Sequence, residues 1–212
     1  MEAFRALERG FRQWRYNMTV RRHYSRHTMA LRRRDEFPYL LNRLGLTGEG
    51  VEVGVFRGEF AELVLDSWKG SKYHLVDPWM VYAEEMGAEG HPLNQEAFDH
   101  IYESVLRRVD HFGDRADVMR MPSLDAATCF ADGTLDFVYI DGLHTYQAVY
   151  DDATAWYPKL KPGGLMAGHD YAEGPRWEVK PAMDRFAKER GLTLGTTQRD
   201  QPSWFFFIPG GV

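Results

Sequence analysis

Cysteine is almost missing from this chain: Cys129 is the only one in 212 residues. No intrachain disulfide can form, which suits a reducing, cytoplasmic compartment. Cys129 itself reads as a buried, inert side chain. No apolar run approaches the ~20 residues that a membrane-crossing helix needs. The arginine-rich N-terminus lacks the continuous apolar stretch of a secretory signal. No internal repeat or low-complexity segment interrupts the chain. Two nucleotide signatures are also missing. The pattern G-x-x-x-x-G-K-[ST] does not occur, which excludes the phosphate loop of nucleotide hydrolases. The dinucleotide fingerprint G-x-G-x-x-G would need glycines where Glu52, Gly54 and Arg57 stand.

What is present is ordinary for a globular protein: 44% hydrophobic and 27% charged residues. The length suits one domain plus an extension. The net charge of -5 conceals an asymmetry, because residues 1–34 carry ten arginines against only Glu2 and Glu8. The rest is therefore acidic. Phe4, Leu7, Phe11 and Trp14 recur at helical spacing between arginines, so we expect a basic helical extension over 1–34 and the domain proper over 35–212. Such an arm could recruit RNA, an acidic partner or a membrane surface. It could also pack on the body or on a second copy and build a homo-oligomer. No RNA-binding signature accompanies it, and its aromatic face needs burial, which favours packing.

Beyond the extension, helical and strand patterns alternate. A short helix is expected over 35–44, with Pro38 in its first turn and Gly45 as its stop. Strands are expected at about 50–55, 73–76, 116–120, 135–140 and 165–168, the last entered through the turn Lys161-Pro162-Gly163-Gly164. Helices are expected over 59–68, 95–108, from Ser123, over 146–160 and around 179–187. Segments 192–194 and 204–208 close the sheet as an antiparallel pair. The stretch 78–94 has no clean period and is long for a connection, which suggests a lid or binding loop; Trp79 and Tyr82 either line a pocket or anchor that loop. The pattern as a whole is α/β, a mostly parallel sheet covered on both faces.

In such sheets ligands sit at the carboxyl ends of the strands, near the switch point in strand order. Polar groups cluster there: the turn Val53-Gly54-Val55-Phe56-Arg57-Gly58, then Asp77, Ser123, Asp141 with His144, and His169 with Asp170. Gly54 and Gly58 let backbone approach a ligand closely. Asp77 follows about 20 residues on and could accept both hydroxyls of a ribose; alone it would read equally well as a helix cap. Glu52 would repel a pyrophosphate but tolerate an amino group or a sulfonium cation. The site therefore favours a cationic ribose ligand. Asp141 and Asp170, on neighbouring strand ends, could share a divalent cation that binds a hydroxyl oxygen and lowers its pKa, while His144 takes the proton. The plainer alternative makes these aspartates caps and the histidines hydrogen-bonded loop residues.

Glu52-x-Gly54-x-x-x-Gly58, Asp77, Ser123, Asp141 and the Pro-Gly-Gly turn together resemble the class I S-adenosylmethionine-dependent methyltransferases, from about residue 35 to the C-terminus. The resemblance implies a seven-stranded Rossmann-like sheet in the order 3-2-1-4-5-7-6 with strand 7 antiparallel. It also implies Glu52 and Gly54 near the amino-acid end of S-adenosylmethionine, Asp77 on its ribose and Ser123 near its adenine. The stretch Asp141-Gly142-Leu143-His144, with His169-Asp170-Tyr171, looks like the metal-dependent sugar and small-molecule O-methyltransferases of the mycinamicin and macrocin type. That likeness implies Asp141 and Asp170 as ligands of Mg²⁺ or another divalent metal, His144 as general base, and a small-molecule hydroxyl as substrate. The chain departs at His169, where that pattern carries a second carboxylate. Histidine can ligate, but Mg²⁺ prefers oxygen.

Overall fold

The computed structural model describes residues 6–8, 10–14, 31–81, 93–172, 174, 178–199 and 201–210. Seven strands form one sheet: β1 (Glu49–Val53), β2 (Lys72–Val76), β3 (Ala116–Met119), β4 (Leu135–Ile140), β5 (Leu160–Gly168), β6 (Gly195–Thr196) and β7 (Trp204–Phe207). Their order is β3-β2-β1-β4-β5-β7-β6, as expected. All pairs are parallel except β5 with β7 and β6 with β7.

The two faces are built by alternation. In β4, Phe137 and Tyr139 face one apolar cluster while Val138 and Ile140 face the other. All of β4 is buried, as a central parallel strand must be. On the first face lie α1 (Phe37–Leu44), α2 (Glu59–Ser67) and α3 (Gln95–Val109). On the second lie α4 (Ser123–Ala127), α5 (Tyr146–Trp156) and α6 (Val179–Arg190). β1 pairs with β2 on one side and β4 on the other, so the switch point falls between the carboxyl ends of β1 and β4.

Several expectations are corrected. The helix read as 146–160 ends at Trp156, followed by a 3₁₀ turn, Tyr157–Lys159, around Pro158; proline supplies no N–H to continue an α-helix. The sixth strand lies at 195–196 rather than 192–194, because the Leu192 N–H bonds Ala187 O and finishes α6. Cys129 is exposed rather than buried, just beyond α4. The body also begins earlier than residue 35. Leu31 is buried in the first cluster, and the backbones of Leu31 and Arg32 accept hydrogen bonds from Gln198 and Arg199. Of the long connection 78–94, residues 82–92 lie outside the described residues, and with them Tyr82 and the lid reading. Trp79 is fully buried and donates its indole N–H to Phe56 O, which makes it an anchor.

Residues 6–8 and 10–14 are helical. Leu7, Phe11 and Trp14 are 74%, 60% and 57% exposed, and the rings of Phe11 and Trp14 stack at 5.8 Å. Among the described residues no helix is long and apolar enough to cross a membrane.

Candidate active site

The sheet register brings the strand-end residues level. Gly54 N–H bonds Val76 O, Asp77 N–H bonds Met119 O, Asp141 N–H bonds Val53 O, and His169 N–H bonds Ile140 O. Each ladder thus runs one residue past its strand and sets these four side by side at the carboxyl edge. A cavity of about 750 Å³ opens there, a size that suits a cofactor and a small substrate. Glu52, Gly54, Asp77, Ser123, Asp141 and His144 all line it. Gly58, His169 and Asp170 do not. Gly58 opens α2, and the last two stand behind Asp141 and His144.

Glu52 is almost fully buried, and among the described residues its Oε2 has no hydrogen-bond partner. Burial raises its pKa well above the usual carboxylate range; Asp141 adds to this and Arg34 opposes it. A buried acceptor in that state is satisfied by a cationic donor such as an ammonium. Asp77 uses one oxygen to hold Phe56 N–H at 2.9 Å and the other to hold Trp79 N–H at 2.7 Å. It therefore fixes the glycine turn while facing the cavity. Burial raises its pKa against these backbone hydrogen bonds. Ser123 accepts from Trp156 Nε1 at 2.9 Å and hydrogen-bonds Asp152.

The second half of the site is a carboxylate–imidazole cluster. His144 Nε2 stands 2.9 Å from Asp170 Oδ2 and 3.9 Å from Asp141 Oδ1. His169 Nδ1 stands 3.1 Å from Asp170 Oδ1 and 3.7 Å from Asp141 Oδ1. Burial alone would lower the His144 pKa, but the neighbouring carboxylates of Asp141 and Asp170 outweigh it and raise it to about 9. Burial would raise Asp170, yet His144 and His169 hold it well below the usual range. Donor atoms of Asp141, His144 and Asp170 all lie within 4.8 Å of one another, a spacing that one cation could bridge. The set fits a divalent metal that accepts nitrogen as well as oxygen better than it fits Mg²⁺. The grouping brings in His144, where the sequence had suggested His169 as the nitrogen ligand.

Three non-glycine residues adopt positive φ, at +48° for Phe56, +43° for Trp79 and +51° for Asp170. Such conformations cost about 1–3 kcal/mol each and persist where surrounding structure enforces them. All three flank this site.

Two lining residues escaped the sequence reading. Arg34 was absorbed into the basic run of the N-terminus, yet its Nη1 donates to Asp141 Oδ2 at 3.2 Å and its guanidinium lies 5.2 Å from the Phe60 ring centroid. Asp152 lies within the helix expected over 146–160 and was not singled out there. Burial raises its pKa to about 6, offset in part by the Ser123 hydroxyl. A signal existed, because Asp152 sits among Val149, Ala153 and Trp156 on the buried stripe of α5.

The methyltransferase-domain family matches residues 51–171, more than half of the chain. The fold is shared with three solved O-methyltransferases. TomG from Streptomyces achromogenes, described as involved in tomaymycin synthesis and bound to S-adenosylmethionine, gives a TM-score of 0.60 at 13% identity over 83% of this chain and 79% of that one. NovP gives 0.60 at 18% identity over 82% and 77%. A Bacillus cereus enzyme in complex with S-adenosylhomocysteine gives 0.61 at 11% identity over 93% and 90%. Protein R132 of Acanthamoeba polyphaga mimivirus, of uncharacterised function, is 27% identical over 141 residues; the match spans 66% of this chain and 59% of that protein.

Proposed function

The chain belongs to the methyltransferase-domain family, and from that premise we propose that it is an S-adenosylmethionine-dependent methyltransferase that methylates a hydroxyl oxygen of a small molecule, with His144 as general base. The observation that carries this reading is His144, which lines the same cavity as the Glu52–Gly54 end of the glycine turn and stands 2.9 Å from Asp170 behind it.

When bound, S-adenosylmethionine supplies an electrophilic methyl group on a sulfonium. Gly54 would let backbone approach it, Glu52 would accept from its amino group, Asp77 would hold its ribose, and Ser123 would lie toward its adenine. The carboxylates of this wall favour a cation over the neutral product, so they assist both binding and release. His144 would take the hydroxyl proton as the O–CH₃ bond forms and the S–CH₃ bond breaks, leaving the thioether S-adenosylhomocysteine. Asp170 stabilises the imidazolium that forms and fixes the ring orientation, as carboxylates do for catalytic histidines. Asp141 and Asp170, with His169, would hold a divalent cation, which would supply Lewis acidity toward the same hydroxyl oxygen while His144 acts as base. One cysteine in the whole chain is consistent with a cytoplasmic setting.

Thermal unfolding with added ligand tests this reading. S-adenosylmethionine or S-adenosylhomocysteine at 100 times its Kd should add about 2.7 kcal/mol, which for a chain this size is a rise of roughly 5–10 °C in Tm. NAD should give none. A shift with NAD alone would remove the methyltransferase reading.

We also propose that the helical residues 6–8 and 10–14 mediate self-association, because Leu7, Phe11 and Trp14 are exposed on the isolated chain. Light scattering behind a sizing column should report an oligomer, and Phe11→Glu with Trp14→Glu should give a monomer of unchanged Tm. A monomeric wild type at ~100 µM would end the idea.

A further inference from the structure

We propose that Arg34 is the specificity residue for the amino-acid end of the methyl donor: it binds the α-carboxylate while Glu52 binds the α-ammonium. The inference rests on the methyltransferase reading and deepens it.

The cavity wall is acidic. Apart from His144 and Arg34, the ionisable side chains among the described lining residues are carboxylates: Glu52, Glu59, Asp77, Asp141 and Asp152, with two more at 125 and 151. A ligand that is only cationic would be well served by such a wall. The methyl donor is not only cationic, because its amino-acid end carries a carboxylate that these side chains repel. Arg34 is the one arginine or lysine among the described lining residues. It also stands beside the residue that suits the ammonium. Its guanidinium feels the charge of Glu52 and Asp141 and reaches the Tyr139 hydroxyl. Nη1 is committed to Asp141, but a guanidinium has five donors in a planar fork and can bridge two carboxylates. The α-carbon of an amino acid bears both its ammonium and its carboxylate, so the two charges lie side by side. An unpartnered Glu52 oxygen with an arginine next to it is the complementary arrangement.

The position of Arg34 is fixed from several sides. It opens the 3₁₀ turn Arg34–Glu36 that leads into α1. Leu31, three residues before, is locked in the core, and Glu36 Oε2 accepts from Arg32 N at 2.8 Å. The guanidinium lies over Phe60 of α2, the helix that follows the glycine turn. The guanidinium is thus presented by a rigid corner rather than a loose arm.

Two ligands separate this role from a general one. S-adenosylhomocysteine carries the amino-acid end; 5′-methylthioadenosine keeps the adenosine and thioether but lacks it. Calorimetric titration of Arg34→Ala should show the Kd for S-adenosylhomocysteine rising by 10- to 100-fold, the range for a lost charge-assisted hydrogen bond. The Kd for 5′-methylthioadenosine should move less than about threefold, and Arg34→Lys should recover part of the first loss. The side chain is 39% exposed, so the variants are expected to fold, with Tm as the check. Equal weakening of both ligands, or no weakening of either, would overturn the assignment. A wild-type protein that binds neither ligand would instead overturn the methyltransferase reading beneath it.

Discussion

Gly54→Ala should destabilise the protein by about 3–5 kcal/mol and eliminate cofactor binding. Gly54 has φ of +85°, a region that costs an L-residue roughly 1–2 kcal/mol. Space is the larger obstacle. A Cβ there would lie 2.1 Å from Asp141 O, 2.4 Å from Asp141 C and 2.6 Å from Gly142 N. These are backbone atoms of the neighbouring strand end, so no side-chain rotation relieves the clash. Overpacking of this kind typically costs 1–3 kcal/mol, and more where nothing can yield. Relief would require β1 and β4 to separate at the switch point, which would also displace Asp141 from the cavity. Urea unfolding measures the loss, and S-adenosylhomocysteine titration measures the binding. Gly163→Ala is the control: its φ is +79° but a Cβ would meet nothing within 4 Å. It should cost only about 1 kcal/mol. If Gly54→Ala cost as little as the control, the close approach of β1 to the β4 end would have no role in the site.

Strand positions and the cavity wall were legible because they depend on local signals, whereas the strand order followed from the family resemblance. Each parallel strand is an apolar run stopped by a polar residue, and the ladder carries that residue to the edge, as Asp77, Asp141 and His169 show. Boundaries were less legible where capping chemistry decides them. Pro158 ended α5 early, and the Leu192 N–H went to a helix end rather than to a strand. Cys129 was misplaced because composition says only that cysteines tend to be buried; the short helix α4 leaves it outside. Arg34 was invisible for a different reason. In a run of arginines nothing local marks the one that turns inward; that depends on Leu31 locking into the core and on Phe60 lying under the guanidinium. Asp152 could have been found, since a carboxylate on the buried stripe of an amphipathic helix demands a reason.

His144→Ala should lower kcat by about 10²- to 10⁴-fold, the usual contribution of a positioned general base, while S-adenosylhomocysteine affinity stays within a few-fold. Turnover is read as S-adenosylhomocysteine release with an accepted hydroxyl substrate. The pH profile gives the second readout. Asp141 and Asp170 raise the His144 pKa to about 9, so at neutral pH the ring is mostly imidazolium and cannot accept a proton. In chelator-treated protein the rate should therefore climb about tenfold per pH unit from 6 toward a plateau near 9. The alanine variant should lose that limb. Added Mn²⁺ or Mg²⁺ distinguishes the two roles of the carboxylates. A cation shared by Asp141 and Asp170 would neutralise the charges that hold the proton, so the limb should move to lower pH. If it stays near 9 with either metal, the aspartates serve the imidazole alone. If the rate is flat from pH 6 to 9 in the absence of metal, His144 is not the base. The Asp170→Asn variant closes the set: it removes the 2.9 Å partner of His144, so the limb should shift downward even without metal as kcat falls.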